Sequence, residues 1–422
     1  MTLPLLQITE SYVSILLAIS IIMIIGYMAR ALFNRTKIPE VLILMLIGII
    51  LVPIGHLLPD NYVIALRSIA QLFGALALII IMYDGGRKMD LAGLLRSGDG
   101  VALGVLDVLI LTVAIAYLMN LLFGWPIVYG ALLGAIFGST SSAIIIPVLG
   151  RFKVPGKIYD ALVMETAMNS VIAITLFTVL LATVTGQSFS PSRLVLYVAD
   201  YISVAISIGI IAGFLWLLVL SKIKTANEYL AAISIAILLY GVVTLLDGAA
   251  IISVLIFAIM VGNYGSISRL IKLKINISNE AKHQEEVVGK SLEFLIRTFF
   301  FVFIGMIAVL SYQYVEYAIL IVAALVITRY AEVKLVLRKS KPYQSLALSF
   351  LQRGTVVAVL ATLLYSIGVG ADYFNQIFYI SFLLLIFTNI IGSLLLATTK
   401  IKINKDSATQ WPFPRHLLRG LC

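Results

Sequence analysis

The stretch METAMNSVIAITLF, Met164 to Phe177, is apolar except for a carboxylate, Glu165, an amide one turn later, Asn169, and hydroxyls, of which Ser170 lies beside the amide. Positions i, i+4 and i+5 place Glu165, Asn169 and Ser170 on roughly one face of a helix. A carboxylate grouped with amide and hydroxyl oxygens suits a small hard cation such as Na+. The same carboxylate can take a proton instead, and competition for one group is the simplest way to couple two ions. Just upstream, Gly138, Ser139, Thr140, Ser141 and Ser142 interrupt another apolar run, and Thr140 and Ser141 are candidate ligands. Asp107 is a further carboxylate inside an apolar run, and Arg297, Arg329 and Arg353 are embedded in others. Ionisable groups in hydrocarbon are costly and mark either function or a partner. Two readings of Glu165 stay open: an ion-binding group, or the static partner of an arginine, for which Arg329 is placed. Arg297 can pair with Glu293 four residues before it. Arg353 can neutralise the carbonyl ends of broken helices.

The elements that hold these residues follow from composition. Of 422 residues 61% are hydrophobic and 12% charged, against roughly 25% charged in a soluble domain. Such a chain is a polytopic, all-helical membrane protein. Runs long enough to cross roughly 30 Å of hydrocarbon lie at 12–31, 39–58, 62–83, 101–123, 126–150, 158–184, 195–220, 228–246, 249–266, 291–311, 315–333, 342–367 and 375–398. That predicts about thirteen transmembrane helices. Lys and Arg alternate between crowded and empty loops: Arg87, Lys88, Lys157, Lys222, Lys272, Lys334 and Lys402 fall on one side, while Arg67 and Arg193 alone fall on the other. The positive-inside rule then predicts an odd number of spans, the N-terminus outside and the C-terminus inside.

The longest hydrophilic segment, about Ser266 to Lys290, is too short for a catalytic domain, and no glycine-rich phosphate loop occurs. Three histidines, His56, His283 and His416, give metal catalysis no ligand set, and the one cysteine, Cys422, gives no intramolecular disulfide. An enzyme and a bound cofactor are therefore not expected. The net charge of +10 is read as basic inner loops facing anionic lipid rather than as a nucleic-acid surface.

Secondary transporters are often built from inverted repeats, with the substrate site where a helix of each repeat is interrupted. Taking the first six runs and the last six as repeats, with the seventh linking them, the fifth of each is interrupted. One carries Gly138 to Ser142, and the other Gln352, Arg353, Gly354 and Thr355.

At these residues the chain resembles a monovalent cation:proton antiporter, of the sodium/proton antiporter branch found in archaea, bacteria and animal exchangers. MYDGG resembles the acidic-Gly-Gly end of the family's third span, Asp107 matches an aspartate of the fourth, and FFFVFIGM resembles the tenth. LVITRY matches the eleventh span with its arginine, and QRG resembles the Arg-Gly of the twelfth. Two departures stand out. Where the family commonly reads Thr-Asp in the fifth span, this chain has Thr140 and Ser141, and where it reads Glu, three residues, then Asn-Asp, this chain ends in Asn169 and Ser170.

The resemblance implies crossed discontinuous helices 5 and 12, and an ion pair of Glu165 with Arg329 with Asn169 as supporting ligand. It implies a dimerisation domain from residues 1–100 and 228–312, a core transport domain from 101–186 and 313–399, a linker helix at 187–227 and a cytoplasmic tail at 400–422. The implied activity is exchange of Na+ or K+ for H+ by alternating access, by a homodimer in the plasma membrane of a prokaryote. With serine at both aspartate positions, Glu165 or Asp107 is left to carry the proton. The alternative is a scaffold that conducts or senses the cation without coupling.

Overall fold

The computed structural model describes residues 17, 19–32, 40–55, 60–89, 97–149, 152, 154–185, 191–222, 228–270, 272, 279–308, 311–367 and 371–399. The expected tail at 400–422, His56, and loop residues such as Lys402 lie outside the described residues. Among the described residues all regular elements are helical: α1 (Ile19–Leu32), α2 (Glu40–Ile49), α3 (Asp60–Lys88), α4 (Gly98–Phe123), α5 (Ile127–Phe137), α6 (Ser142–Leu149), α7 (Gly156–Val184) and α8 (Pro191–Lys222). They continue as α9 (Glu228–Leu245), α10 (Ala250–Gly262), α11 (Tyr264–Leu270), α12 (Asn279–Ile307), α13 (Val315–Val336), α14 (Lys341–Leu348), α15 (Thr355–Ile367) and α16 (Ala371–Thr398).

Each apolar run of the sequence carries a helix. Among the described residues five stretches are by themselves long and apolar enough to cross a membrane: Gly98–Phe123, Gly156–Val184, Ala199–Lys222, Glu228–Leu245 and Asp372–Thr398. Two runs fall short because each is split. The fifth run is α5 and α6 with Gly138–Ser141 between them, and the twelfth is α14 and α15 with Ser349–Gly354 between them. The second break therefore begins three residues before the Gln352–Thr355 interruption expected from the sequence, because α14 ends at Leu348, and it ends one residue sooner, because Thr355 already opens the next helix.

The helices pack in two groups. In one, α4 lies against α5, α7 and α13, and α16 joins α13 to α15. In the other, α3 lies against α10 and α12, α2 packs on α12, and α8 packs on α10. Phe299 and Phe303 of α12 pack on Phe73 of α3, with ring centroids 5.5 and 5.4 Å apart. Between the groups, α15 meets α3 and α12. Close approach of α4 to α7 depends on Gly104, where a Cβ would lie 2.7 Å from Met168 Cβ and 3.0 Å from the Glu165 carbonyl. That contact brings Asp107, one turn further along α4, within hydrogen-bonding reach of Asn169.

Candidate functional site

A broken helix leaves backbone donors and acceptors without intrahelical partners, and in a dry interior these must be met by neighbours. The two breaks meet this need partly through each other. The N–H of Ser141 donates to the carbonyl of Gln352 at 2.9 Å. Gly354 packs on Ser141 so closely that a Cβ there would lie 2.3 Å from Ser141 Oγ. The two interrupted helices thus cross at their breaks.

Against the first break lies the polar face of α7. Asn169 Nδ2 donates to Thr140 Oγ1 at 2.7 Å and to Asp107 Oδ2 at 3.3 Å. Ser170 donates to the carbonyl of Thr166 at 2.7 Å, so Ser139, 2.8 Å away, supplies the proton of the Ser139–Ser170 hydrogen bond. Asp107, Ser139, Thr140, Ser141, Asn169 and Ser170 are all buried. Thus Asp107, Thr140, Asn169 and Ser170, four of the residues singled out from the sequence, lie side by side. Ser139 joins them although spacing alone did not single it out from the other hydroxyls of its run.

Glu165 sits one turn away in an ion pair. Arg329 Nη1 lies 2.5 Å from Glu165 Oε1 and Nη2 lies 3.2 Å from Oε2, with both side chains 1% exposed. Nε and Nη2 of Arg329 also donate to the carbonyl of Ala347, at 3.1 and 3.0 Å. Ala347 is in the last turn of α14, so Arg329 satisfies the carbonyl end of that half-helix. The sequence offers Arg353 as one candidate for this task, and the geometry gives it to Arg329, whose guanidinium fork reaches a carboxylate and a carbonyl together.

Arg353 instead turns to α4. Its Nη1 is 3.3 Å from Asp107 Oδ2 and its Nη2 3.5 Å from Asp107 Oδ1. The Arg353 carbonyl accepts from Asn389 of α16 at 2.8 Å. This pairing was not read from the sequence, since Asp107 and Arg353 are 246 residues apart. Both carboxylates expected to bind a cation or proton are thus engaged by guanidinium groups here. Arg297 pairs with Glu293 at 3.3 Å as its spacing implied, and it also pairs with Glu40 of α2. The α2 partner was missed, because Glu40 lies at the very start of its apolar run.

Glu332 was also missed. It follows Arg329 by three residues and is 0% exposed, with Arg329 Nη1 at 3.9 Å. Neither of its carboxylate oxygens has a hydrogen-bond partner among the described residues. Its place in the last turn of a span, next to Lys334, reads in sequence as an interfacial charge.

A cavity of about 390 Å³ opens between the two helix groups, lined by Leu78 of α3, Ile174 and Thr178 of α7, Ile252 of α10, Phe300 of α12 and Thr362 of α15. Ile174 is one turn from Ser170 along α7, so the cavity ends about one turn short of the polar cluster.

The profile of the family described as "Sodium/hydrogen exchanger, transmembrane" matches residues 18–401. The K(+)/H(+) antiporter NhaP2 of Shewanella sp. (strain ANA-3) is 28% identical over 237 residues, covering 54% of this chain and 40% of that protein. The probable Na(+)/H(+) antiporter 2 of Methanocaldococcus jannaschii is 25% identical over 226 residues, 52% of this chain and 51% of that protein. The chain thus spans about half or less of the length of these relatives. Among solved structures, the sodium proton antiporter MjNhaP1 of Methanocaldococcus jannaschii at pH 8 matches with a TM-score of 0.76. It is 21% identical and covers 93% of this chain and 99% of that one, a likeness of fold.

Proposed function

The chain belongs to the sodium/hydrogen exchanger family, and from that premise we propose that it exchanges a monovalent cation, Na+ or K+, for protons by alternating access. One observation carries the reading: a buried cluster of oxygen ligands, Ser139, Thr140, Asn169, Ser170 and Asp107, sits where two interrupted helices cross. Interrupted helices at mid-span are how secondary transporters present backbone and side-chain oxygens to ions away from lipid.

In this reading Ser139, Thr140, Asn169 and Ser170 supply neutral oxygens. Glu165, Arg329, Asp107 and Arg353 form the ionic frame that keeps the breaks in register, and Ser141 serves the crossing itself. The family relationship supports thirteen spans with the N-terminus outside and crossed inverted repeats, in a homodimer in a prokaryotic plasma membrane. Helices α4 to α7 and α13 to α16 act as the moving core. Helices α1 to α3, α9, α10 and α12 act as the dimerisation frame, with α8 as linker. The cavity between the two groups supports this division, since relative movement of the groups would open or close it.

Purified protein in liposomes provides the test: internal pH is followed while Na+ or K+ is added outside with the membrane potential clamped. The expected result is proton movement driven by the cation. Cation uptake without proton movement would overturn the reading in favour of an uncoupled conductor.

A further inference from the structure

Three carboxylates and two guanidinium groups are buried together where α4, α7, α13 and the Ser349–Gly354 break meet: Asp107, Glu165 and Glu332 against Arg329 and Arg353. Both guanidinium groups already face a carboxylate, although the buried Nε–H of Arg353 has no hydrogen-bond partner among the described residues. Arg353 spans both oxygens of Asp107, and Arg329 spans both oxygens of Glu165 and the Ala347 carbonyl. Glu332 is the remaining acid. It has no exposure and no hydrogen bond to either oxygen among the described residues, and the nearest guanidinium nitrogen, 3.9 Å away, already holds Glu165 at 2.5 Å. If Glu332 is ionised, the cluster holds one uncompensated negative charge away from water, a costly state that a proton or a cation relieves.

Among the described residues, the elements around α13 offer Glu332 no other neutralising partner. From α4 comes Asp107, from α7 comes Glu165, and from the break before α15 comes Arg353. The charged residue of α14 is Lys341, at its first position. That of α16 is Asp372, in its first turn, beside Tyr373 and therefore close to Trp125 and Tyr317 at the opposite end of α13. Meanwhile the two positions where the family resemblance places aspartates hold Ser141 and Ser170, and Ser170 already spends its proton on the Thr166 carbonyl.

We propose that Glu332 carries the exchanged proton, and that this proton and the transported cation neutralise the same uncompensated charge in alternation. The inference rests on the exchange reading above and names its titrating group. When Na+ or K+ enters the oxygen cluster, the O–H bond of Glu332 breaks, both bonding electrons stay on the carboxylate, and the proton leaves to water. When the cation departs, the carboxylate takes a proton back. Asp107 and Glu165 keep their arginines throughout, so one cation exchanges for one proton and the cluster's total charge stays constant.

The test is infrared difference spectroscopy of the purified full chain, with sodium or potassium chloride replacing N-methylglucamine chloride at constant pH. A carboxylic-acid C=O band should disappear on adding the cation, be missing altogether in E332Q, and persist at a shifted frequency in E332D. Should E332Q fail to fold, the shift in E332D carries the assignment. In vesicles E332Q should lose cation-driven proton movement, whereas E332D should keep it with a displaced pH profile. A band that ignores the cation or survives E332Q overturns the proposal, as does an E332Q protein exchanging with the wild-type pH profile. Wild-type vesicles without exchange, together with a band that does respond, would overturn the exchange reading and leave Glu332 as the acid that competes with the cation.

Discussion

The backbone N–H of Ser141 donates to the backbone carbonyl of Gln352 at 2.9 Å, tying together two helix breaks more than two hundred residues apart in the chain. The distance works only because Gly354 faces Ser141. A methyl at Gly354 would lie 2.3 Å from Ser141 Oγ and 2.7 Å from Ser141 Cβ, contacts that require the breaks to separate. Gly354→Ala should therefore destabilise the protein by about 1–3 kcal/mol, as overpacking in a filled core does. Adding Ser141→Gly should recover much of that loss, measured as thermal unfolding of detergent-purified protein. Two independent, additive losses would count against the contact.

Removing Arg329 should be the most damaging single change in the core. Arg329→Met leaves Glu165 buried without its bidentate partner and frees the Ala347 carbonyl. Breaking a buried ion pair from one side costs about 3–5 kcal/mol. The double variant Arg329→Met with Glu165→Gln should be more stable than Arg329→Met alone, because it removes the stranded charge. The melting temperatures of the two variants check this, and a double variant no better than the single would show that the pair is not what holds α7 to α13.

Asn169 is where the ionic frame meets the neutral oxygens. Its amide donates to Thr140 at 2.7 Å and to Asp107 at 3.3 Å. Asn169→Ala should leave the Asp107–Arg353 pair in place while removing the group that orients Thr140. The half-saturating concentration of Na+ or K+ in vesicles is expected to rise by roughly tenfold, one decade being about 1.4 kcal/mol. The maximal rate should change less. An unchanged concentration dependence would remove Asn169 from the cation site.

Ser170→Asp tests how many charges the site exchanges. The Ser170 hydroxyl now donates to the Thr166 carbonyl at 2.7 Å, and a carboxylate there would face that carbonyl oxygen unless it held a proton or a cation. With Glu332 already supplying one exchangeable charge, the new acid should supply a second. Exchange that ignores membrane potential in the wild type should then respond to it in Ser170→Asp, read as a change in rate when the clamped potential is stepped. Equal insensitivity in both proteins would mean that the added aspartate does not take part.

Much of this architecture is written locally. Long apolar runs can satisfy their backbones in lipid only as helices, so the helical character and the positions of the spans follow from composition and length. Gly138 with three hydroxyl residues, and Gln352, Arg353 and Gly354, weaken two of those helices where nearby side chains compete with the backbone for hydrogen bonds. The 3.6-residue period put Glu165, Asn169 and Ser170 on one face, and the Glu165–Arg329 pair was one of the readings left open. Partnership across helices was decided only by packing. Arg353 is bound to Asp107 rather than to a half-helix end, Arg297 reaches Glu40 as well as Glu293, and Glu332 is enclosed without a hydrogen-bond partner among the described residues. The reason is physical: periodicity fixes which way a side chain faces on its own helix, but the charge it meets depends on how closely and at what angle other helices cross. Small residues such as Gly104 and Gly354 set that approach, and the depth of burial of Glu332 became visible only once α4, α7 and α13 had closed around it.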